Sequence, residues 1–365
     1  RSSSLPMHER FRKIKLGLRA FSFQMKETKQ RNLIIDLYKI LLAVFVVFIH
    51  FPNSKFSADW VAIFRLAIPG FAAITGFYIF KKDLSYEEKL KRAKIFMVKS
   101  LKYFGFAVVF AFISQLIYTW IAGVPTVEGL KSFGFEIAPF LWKTRPALQV
   151  GTTFFQLWYF QGLVFVAAVY LLLVWLKVDV AMFALPLLSI PIYWVQKKWP
   201  LTQNFNYQVL YRNSWFMILP SFAGGWIAAH FKEIKFKLYV YAILIAALGG
   251  LIYLQIYLNR LCPIEMTFIA VIIASIIILL LDRIPKFYCK PFYWIFGTHF
   301  YAIVFIIHVF VGCVLITKFN FNPYVNSGLF ILYVFLTTLV LTQLYHLLKL
   351  GVKITKQKLN KEEVN

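Results

Sequence analysis

Ten apolar stretches, each about the length needed to cross a bilayer, recur along this sequence and limit its fold more than any motif does. They lie at 33–51, 60–80, 100–122, 155–176, 178–195, 214–231, 237–257, 263–281, 294–316 and 326–348. Lipid offers the backbone no hydrogen bonds, so a run of about twenty apolar residues reads as a helix that satisfies its own N–H and C=O groups. The tight joint at 176–178 makes the fourth and fifth stretches a close hairpin. No segment repeats at a fixed period, which leaves a solenoid unsupported. The expected fold is an all-α integral membrane protein, a bundle of about ten transmembrane helices over 32–348, with no separate soluble catalytic module.

Composition enters where it excludes alternatives. The 365 residues are 60% hydrophobic and 19% aromatic, and a mean hydropathy of +0.69 is rare among soluble domains. A formal charge of +25 raises the question of nucleic acid. The basic residues, however, are parcelled between apolar runs instead of forming one groove, and this excludes nucleic acid as a partner. Lysine and arginine placed there mark cytoplasmic loops and anionic headgroups. Cys262, Cys289 and Cys313 are odd in number and widely spaced, giving neither a metal pattern nor a disulfide framework. No metal is expected.

The basic loops set an orientation. Residues 1–31 hold nine Lys or Arg and residues 81–102 hold eight; further clusters lie at 232–237, 283–290 and from Lys349 onward. Intervening loops are poorer, with Lys55, Arg260 and Lys318 each alone. Both termini are therefore expected in the cytoplasm, which requires an even number of spans. In segment 1–31, Met7, Phe11, Ile14, Leu18 and Phe21 form one apolar stripe flanked by Arg10, Arg12, Lys13, Lys15 and Arg19. It reads as a basic amphipathic helix on the inner leaflet. Residues 349–365 read as a basic cytoplasmic tail.

Against this background a few ionisable residues stand out. The first span, RNLIIDLYKILLAVFVVFIHF, carries Asp36, Lys39 and His50. At about 100° per residue, Lys39 and His50 point roughly 20° apart and lie about 16 Å apart along the axis. Charges at membrane depth are costly and mark partners or function. With the first span running outward, His50, Arg65, Arg212, Asn213, Glu265 and His308 all fall in the outer half, while Lys39 lies below His50. Each also has a structural reading. His50 can be an interfacial polar tip, Asp36 and Lys39 an i,i+3 pair, Arg212 a snorkelling anchor, Glu265 a helix cap after Pro263, and His308 a packing residue. Arg65, five residues into its span, is the hardest to explain without a buried partner.

Five segments in order resemble acyltransferase family 3 membrane proteins. The first span is similar to that family's opening, an aspartate, then an arginine three residues on, then a histidine eleven residues after the arginine. FRLAIPGFAAITGF (64–77), LWYFQG (157–162), YRNSWFMILPSFAGG (211–225) and GTHFYAIVFIIH (297–308) resemble its later motifs. Lys39 stands where the family has arginine, Gly70 replaces an aromatic, and Gln156 stands where a histidine often precedes the LWY. The resemblance implies acyl transfer, acetyl first among the groups, from acyl-CoA to a hydroxyl of a cell-envelope or exported carbohydrate, in a bacterial inner membrane. It points to His50 as general base and to Arg65 as the group that stabilises the oxyanion. Lys39, together with Arg65, would bind the acyl-CoA; Arg212, Asn213, Glu265, Trp158 and His308 would bind the acceptor. The expected partners are lipid, acyl-CoA and the carbohydrate, and a homo-oligomer is compatible with the sequence. The competing class is a transporter or exporter of a polysaccharide or small polar metabolite, whose path the same charges would mark. No paired Gly/Pro-interrupted spans are expected in corresponding positions of two halves, the usual pointer to such transporters.

Overall fold

The computed structural model describes residues 32–51, 58–123, 158–191, 215–261, 268–285, 287, 289–296, 300–323 and 325–362. Among them 85% are helical and none lies in a strand. Eleven α-helices are described: α1 (Leu33–His50), α2 (Ala58–Phe64), α3 (Ala67–Ile79), α4 (Tyr86–Ile121), α5 (Trp158–Trp175), α6 (Leu219–His230), α7 (Leu238–Leu261), α8 (Phe268–Arg283), α9 (Lys290–Phe296), α10 (Phe300–Phe319) and α11 (Ser327–Glu362). Among the described residues six spans are long and apolar enough to cross a membrane: Leu33–His50, Asp59–Ile79, Tyr86–Ile121, Leu238–Arg260, Phe300–Phe319 and Ser327–Val352. The described part is thus all-helical, and its spans make the chain a multi-pass membrane protein. The expected fourth, sixth and eighth spans correspond to the shorter helices α5, α6 and α8.

Local chemistry explains where helices start, stop and break. Asn32 caps α1 by accepting from the Ile34 N–H. Ser85 and Glu88 form a reciprocal capping box at the start of α4. That helix has 36 residues, about 54 Å, so it outruns the hydrocarbon core. The surplus is its basic first third, part of the expected 81–102 loop. Likewise α11 runs on to Glu362, so the basic tail expected at 349–365 continues the last span as helix.

Prolines account for three departures from simple spans. Pro69 has no N–H and its ring crowds the carbonyl four residues back, that of Arg65. The helix accordingly breaks between α2 and α3, with the Leu66 N–H turning to Ile63 O at 3.0 Å. Pro220 crowds Phe216 in the same way, and residues 215–218 form a π-helical turn leading into α6. These two interrupted spans pack directly on each other, although as the second and sixth of the expected ten they do not occupy corresponding positions of two halves. In the segment expected as a fifth span, Pro186 and Pro191 block an α-helix. Asp179–Phe183 and Leu185–Ser189 are 3₁₀ turns instead, lying on α6 and α8. Their Val180, Phe183, Leu187 and Ile190 remain exposed as an apolar face.

The core is formed by α1, α3, α4, α5, α6, α8, α10 and α11. Phe222, Phe300 and Phe330 are among its fully buried side chains, so part of the phenylalanine content fills the interior instead of facing lipid. The closest approach is between α3 and α6. A Cβ added at Gly76 would meet Phe222 O at 1.9 Å, and one added at Gly225 would meet Ala73 O at 1.9 Å. Small residues permit such backbone contact, the usual means of helix association where lipid removes the hydrophobic drive.

The basic loops meet at one end of the bundle. Lys82 pairs with Glu233 at 3.5 Å, Lys89 with Asp179 at 2.9 Å, and Lys232 with Asp282 at 4.0 Å. Arg283 donates to Phe231 O. The Leu33 N–H, at the start of α1, donates to Phe287 O beside this same cluster, at 3.1 Å. His50 therefore lies at the opposite end.

Candidate functional site

The first span of the sequence builds the site. α1 carries Asp36, Lys39 and His50, and both of the latter face α10. Near the basic end, Lys39 Nζ donates to Asp36 Oδ1 at 2.8 Å. The same ammonium lies 5.5 Å from the centre of the Tyr301 ring and 5.6 Å from that of Tyr78, a distance at which aromatic faces attract cations. Asp36 is 2% exposed and Lys39 18%. The lysine is thus a fixed, half-desolvated charge between α1, α3 and α10. We expect Lys39→Met to lower stability by about 3–5 kcal/mol, because it removes the cation from a buried carboxylate. Thermal unfolding in detergent reads this loss, and Asp36→Asn added to Lys39→Met should restore most of it; an unchanged midpoint in the single variant would refute the pairing.

About three turns beyond Lys39, His50 meets His308 of α10. His308 Nε2 lies 2.7 Å from His50 Nδ1, with ring centroids 4.8 Å apart and planes tilted by 35°. The two residues are 258 positions apart in sequence. Each ring also addresses its own helix: His50 Nδ1 is 3.0 Å from Val46 O, and His308 Nδ1 is 3.0 Å from Val304 O. His308 is fully buried and His50 half-buried. Phe305 lies edge-on to His308 and packs on Tyr159 and Phe160 of α5. Tyr159 in turn meets Phe71 of α3. The result is a polar pair in an aromatic wall built by four helices. Because α1 meets α10 at both His50–His308 and Lys39–Tyr301, the two helices run parallel.

Arg65 stands at the α2–α3 break and donates to Asn259 Oδ1 of α7 at 3.4 Å. The neighbouring Arg260 grips Asp59 with a two-point contact of 2.7 and 2.5 Å. Two successive residues at the end of α7 thus clamp α2. Phe64, next to Arg65, stacks on Phe48 and packs on Phe45 of α1. This places the break beside the His50 half of the first helix, with the Arg65 guanidinium reaching Asn259 of α7. Gly70 has a steric reason to lack a side chain. A Cβ there would come within 2.8 Å of Leu42 Cδ1 and 3.1 Å of the Tyr38 hydroxyl, so a ring has no room.

Of the other residues singled out, Trp158 begins α5, and Arg212, Asn213 and Glu265 lie outside the described residues, as do 1–31. What the sequence does not specify is that His308, expected in the outer half with His50, meets that residue directly. A signal was present: both histidines end a similar string, VVFIH and VFIIH, in spans expected to run the same way and at similar depth. Tyr301, Tyr78 and Asn259 had no such signal. No protein-family model, no curated protein and no solved structure matches the chain.

Proposed function

We propose that this protein is a membrane O-acyltransferase that moves an acyl group, acetyl first among the candidates, from cytosolic acyl-CoA to a hydroxyl of a cell-envelope or exported carbohydrate. The observation that carries this reading is the histidine pair at one end of α1, aligned on one face with the fixed cation of Lys39 toward the other end. A hydroxyl is a poor nucleophile, and an imidazole within hydrogen-bond reach is the usual remedy. His50 takes the hydroxyl proton as the oxygen attacks the thioester carbonyl carbon. The carbon–sulfur bond then breaks, the proton passes to the sulfur, and the products are an ester and free CoA thiol. Arg65, anchored by Asn259, supplies positive charge for the oxyanion. Lys39, about 16 Å inward along the helix, attracts donor phosphates or lines the path of the pantetheine arm.

The reading includes ten spans, with both termini in the cytoplasm of a bacterial cell and the protein in its inner membrane. Two observations support that topology: the basic loops gather at one end, and α1 and α10, the expected first and ninth spans, are parallel. Arg212, Asn213, Glu265 and Trp158 are assigned to the acceptor, reached from the His50 end. A transporter is the second reading, and one observation favours it: the two proline-interrupted spans that pack on each other, as helices broken around a substrate do.

Purified protein in nanodiscs with acetyl-CoA separates the two. Saturable binding and release of free thiol, with release lost in His50→Ala, are expected of an acyltransferase. Failure to bind acetyl-, propionyl- or succinyl-CoA would sink that reading, and carbohydrate flux in proteoliposomes would then support the transporter.

A further inference from the structure

We infer that His308 is the positioning partner of His50, holding its ring and sharing the charge that arrives when His50 takes a proton. This rests on the acyltransferase reading and adds to it a residue role and an atom assignment.

The argument begins with the two carbonyls. Val46 O and Val304 O can only accept hydrogen bonds, and each lies 3.0 Å from the Nδ1 of the histidine four residues on. Each Nδ1 therefore carries the hydrogen of the neutral ring, and each Nε2 carries a lone pair. On His308 that lone pair sits 2.7 Å from His50 Nδ1, so the His50 Nδ1–H is shared between Val46 O and His308 Nε2. The reverse direction is closed, because His308 Nε2 has no hydrogen to give. By elimination, the basic lone pair of His50 is on Nε2, and that atom takes the proton of the acceptor hydroxyl.

Protonation then changes the contact between the rings. With both nitrogens of His50 carrying hydrogen, the bond from Nδ1–H to the neutral His308 becomes charge-assisted, about twice as strong as a neutral one. His308 thus does for His50 what the carboxylate does in a Ser-His-Asp triad: it fixes the ring and stabilises the imidazolium. A neutral partner suits this place. His308 is 0% exposed, and an unneutralised carboxylate at that depth would be expensive before the proton arrived. Packing holds the arrangement. Phe305 lies against His308, and one turn beyond it Gly312 leaves space that the Phe51 ring fills, since a Cβ there would come within 2.3 Å of Phe51 Cζ. Phe51 itself sits edge-on to Phe330 of α11.

The test has two readouts. In protein labelled with [15N]histidine and reconstituted in bilayers, we expect a through-hydrogen-bond coupling between His50 Nδ1 and His308 Nε2, absent in His308→Gln. No coupling in the wild type overturns the inference. In steady-state turnover of acetyl-CoA, His308→Leu should lose about 100-fold in kcat with KM for acetyl-CoA within about twofold, as expected of a residue that acts only through His50. His308→Gln, whose amide oxygen can accept from Nδ1–H, should stay within about tenfold of wild type. Wild-type kcat in the leucine variant overturns the inference, and so does a glutamine variant as slow as leucine. Coupling without turnover of any acyl donor means the acyltransferase reading itself has failed, and the proton-sharing role with it. Turnover without coupling means that only the inference on His308 has failed.

Discussion

Valine in place of Gly225 is expected to leave no monodisperse folded protein, because it puts side-chain atoms where a backbone carbonyl already is. The added Cβ alone would sit 1.9 Å from Ala73 O, against about 3.3–3.6 Å for a comfortable carbon–oxygen contact. Nor can the obstacle rotate away: it is main chain inside α3, held by that helix's own hydrogen bonds. The helices must separate by roughly 1.5 Å, and packing interfaces lose much of their dispersion energy over such a gap. Gly76→Val should fail equally, since its Cβ would meet Phe222 O at the same 1.9 Å. The informative control is Gly249→Val or Gly250→Val on α7, where a new Cβ meets nothing within 4 Å; those changes should stay within about 0.5 kcal/mol. Size-exclusion profiles of the four variants in detergent decide the matter. A normal profile for Gly225→Val would mean that α3 and α6 do not touch in this way.

His50→Ala should reduce acyl transfer by a factor of about 10² to 10⁴, the usual worth of a positioned general base. The loss should appear in kcat, while acetyl-CoA binding persists, because the Lys39 cation lies about 16 Å away along α1 and keeps its contacts with Asp36, Tyr78 and Tyr301. Folding should also survive: His50 is half-buried at the end of its helix, and its removal leaves His308 its bond to Val304 O. Undiminished ester formation by the alanine variant would exclude the base role whatever the chemistry of the substrate. Loss of both binding and turnover would point instead to a collapsed site, which the thermal midpoint of the same preparation would reveal.

In the proposed reading the two sites on α1 divide the labour. Lys39 is tied to a counter-ion and two aromatic faces, so its charge is present before any donor arrives. His50 is tied to a second imidazole, so the proton it is proposed to take would find a partner already in place. Arg65 differs again: its position follows from Pro69, which opens the helix at that residue, and from Asn259, which holds the guanidinium. A positive group at a helix break is well placed to address developing negative charge.

Sequence alone determined what depends on local or one-dimensional properties. The first apolar run is expected at 33–51 and α1 covers Leu33–His50, because apolar run length sets a span directly. Lys39 and His50 share a face because helical periodicity depends only on their spacing. The break at Arg65 and the π-helical turn before α6 are also legible in principle, since each lies about four residues before a proline, whereas apolar run length alone makes both spans continuous. Only the tertiary structure decided the rest. Which residue meets His50 depends on how helices 258 positions apart in sequence pack, and side-chain complementarity between distant segments has no one-dimensional signature. The same holds for Gly76 and Gly225, which look like ordinary small residues until two backbones are brought into contact. The physical reason is common to both cases: in lipid, apolar residues gain little by choosing one neighbour over another, so close packing and a few polar pairs select the partners, and these exist only once the helices have met.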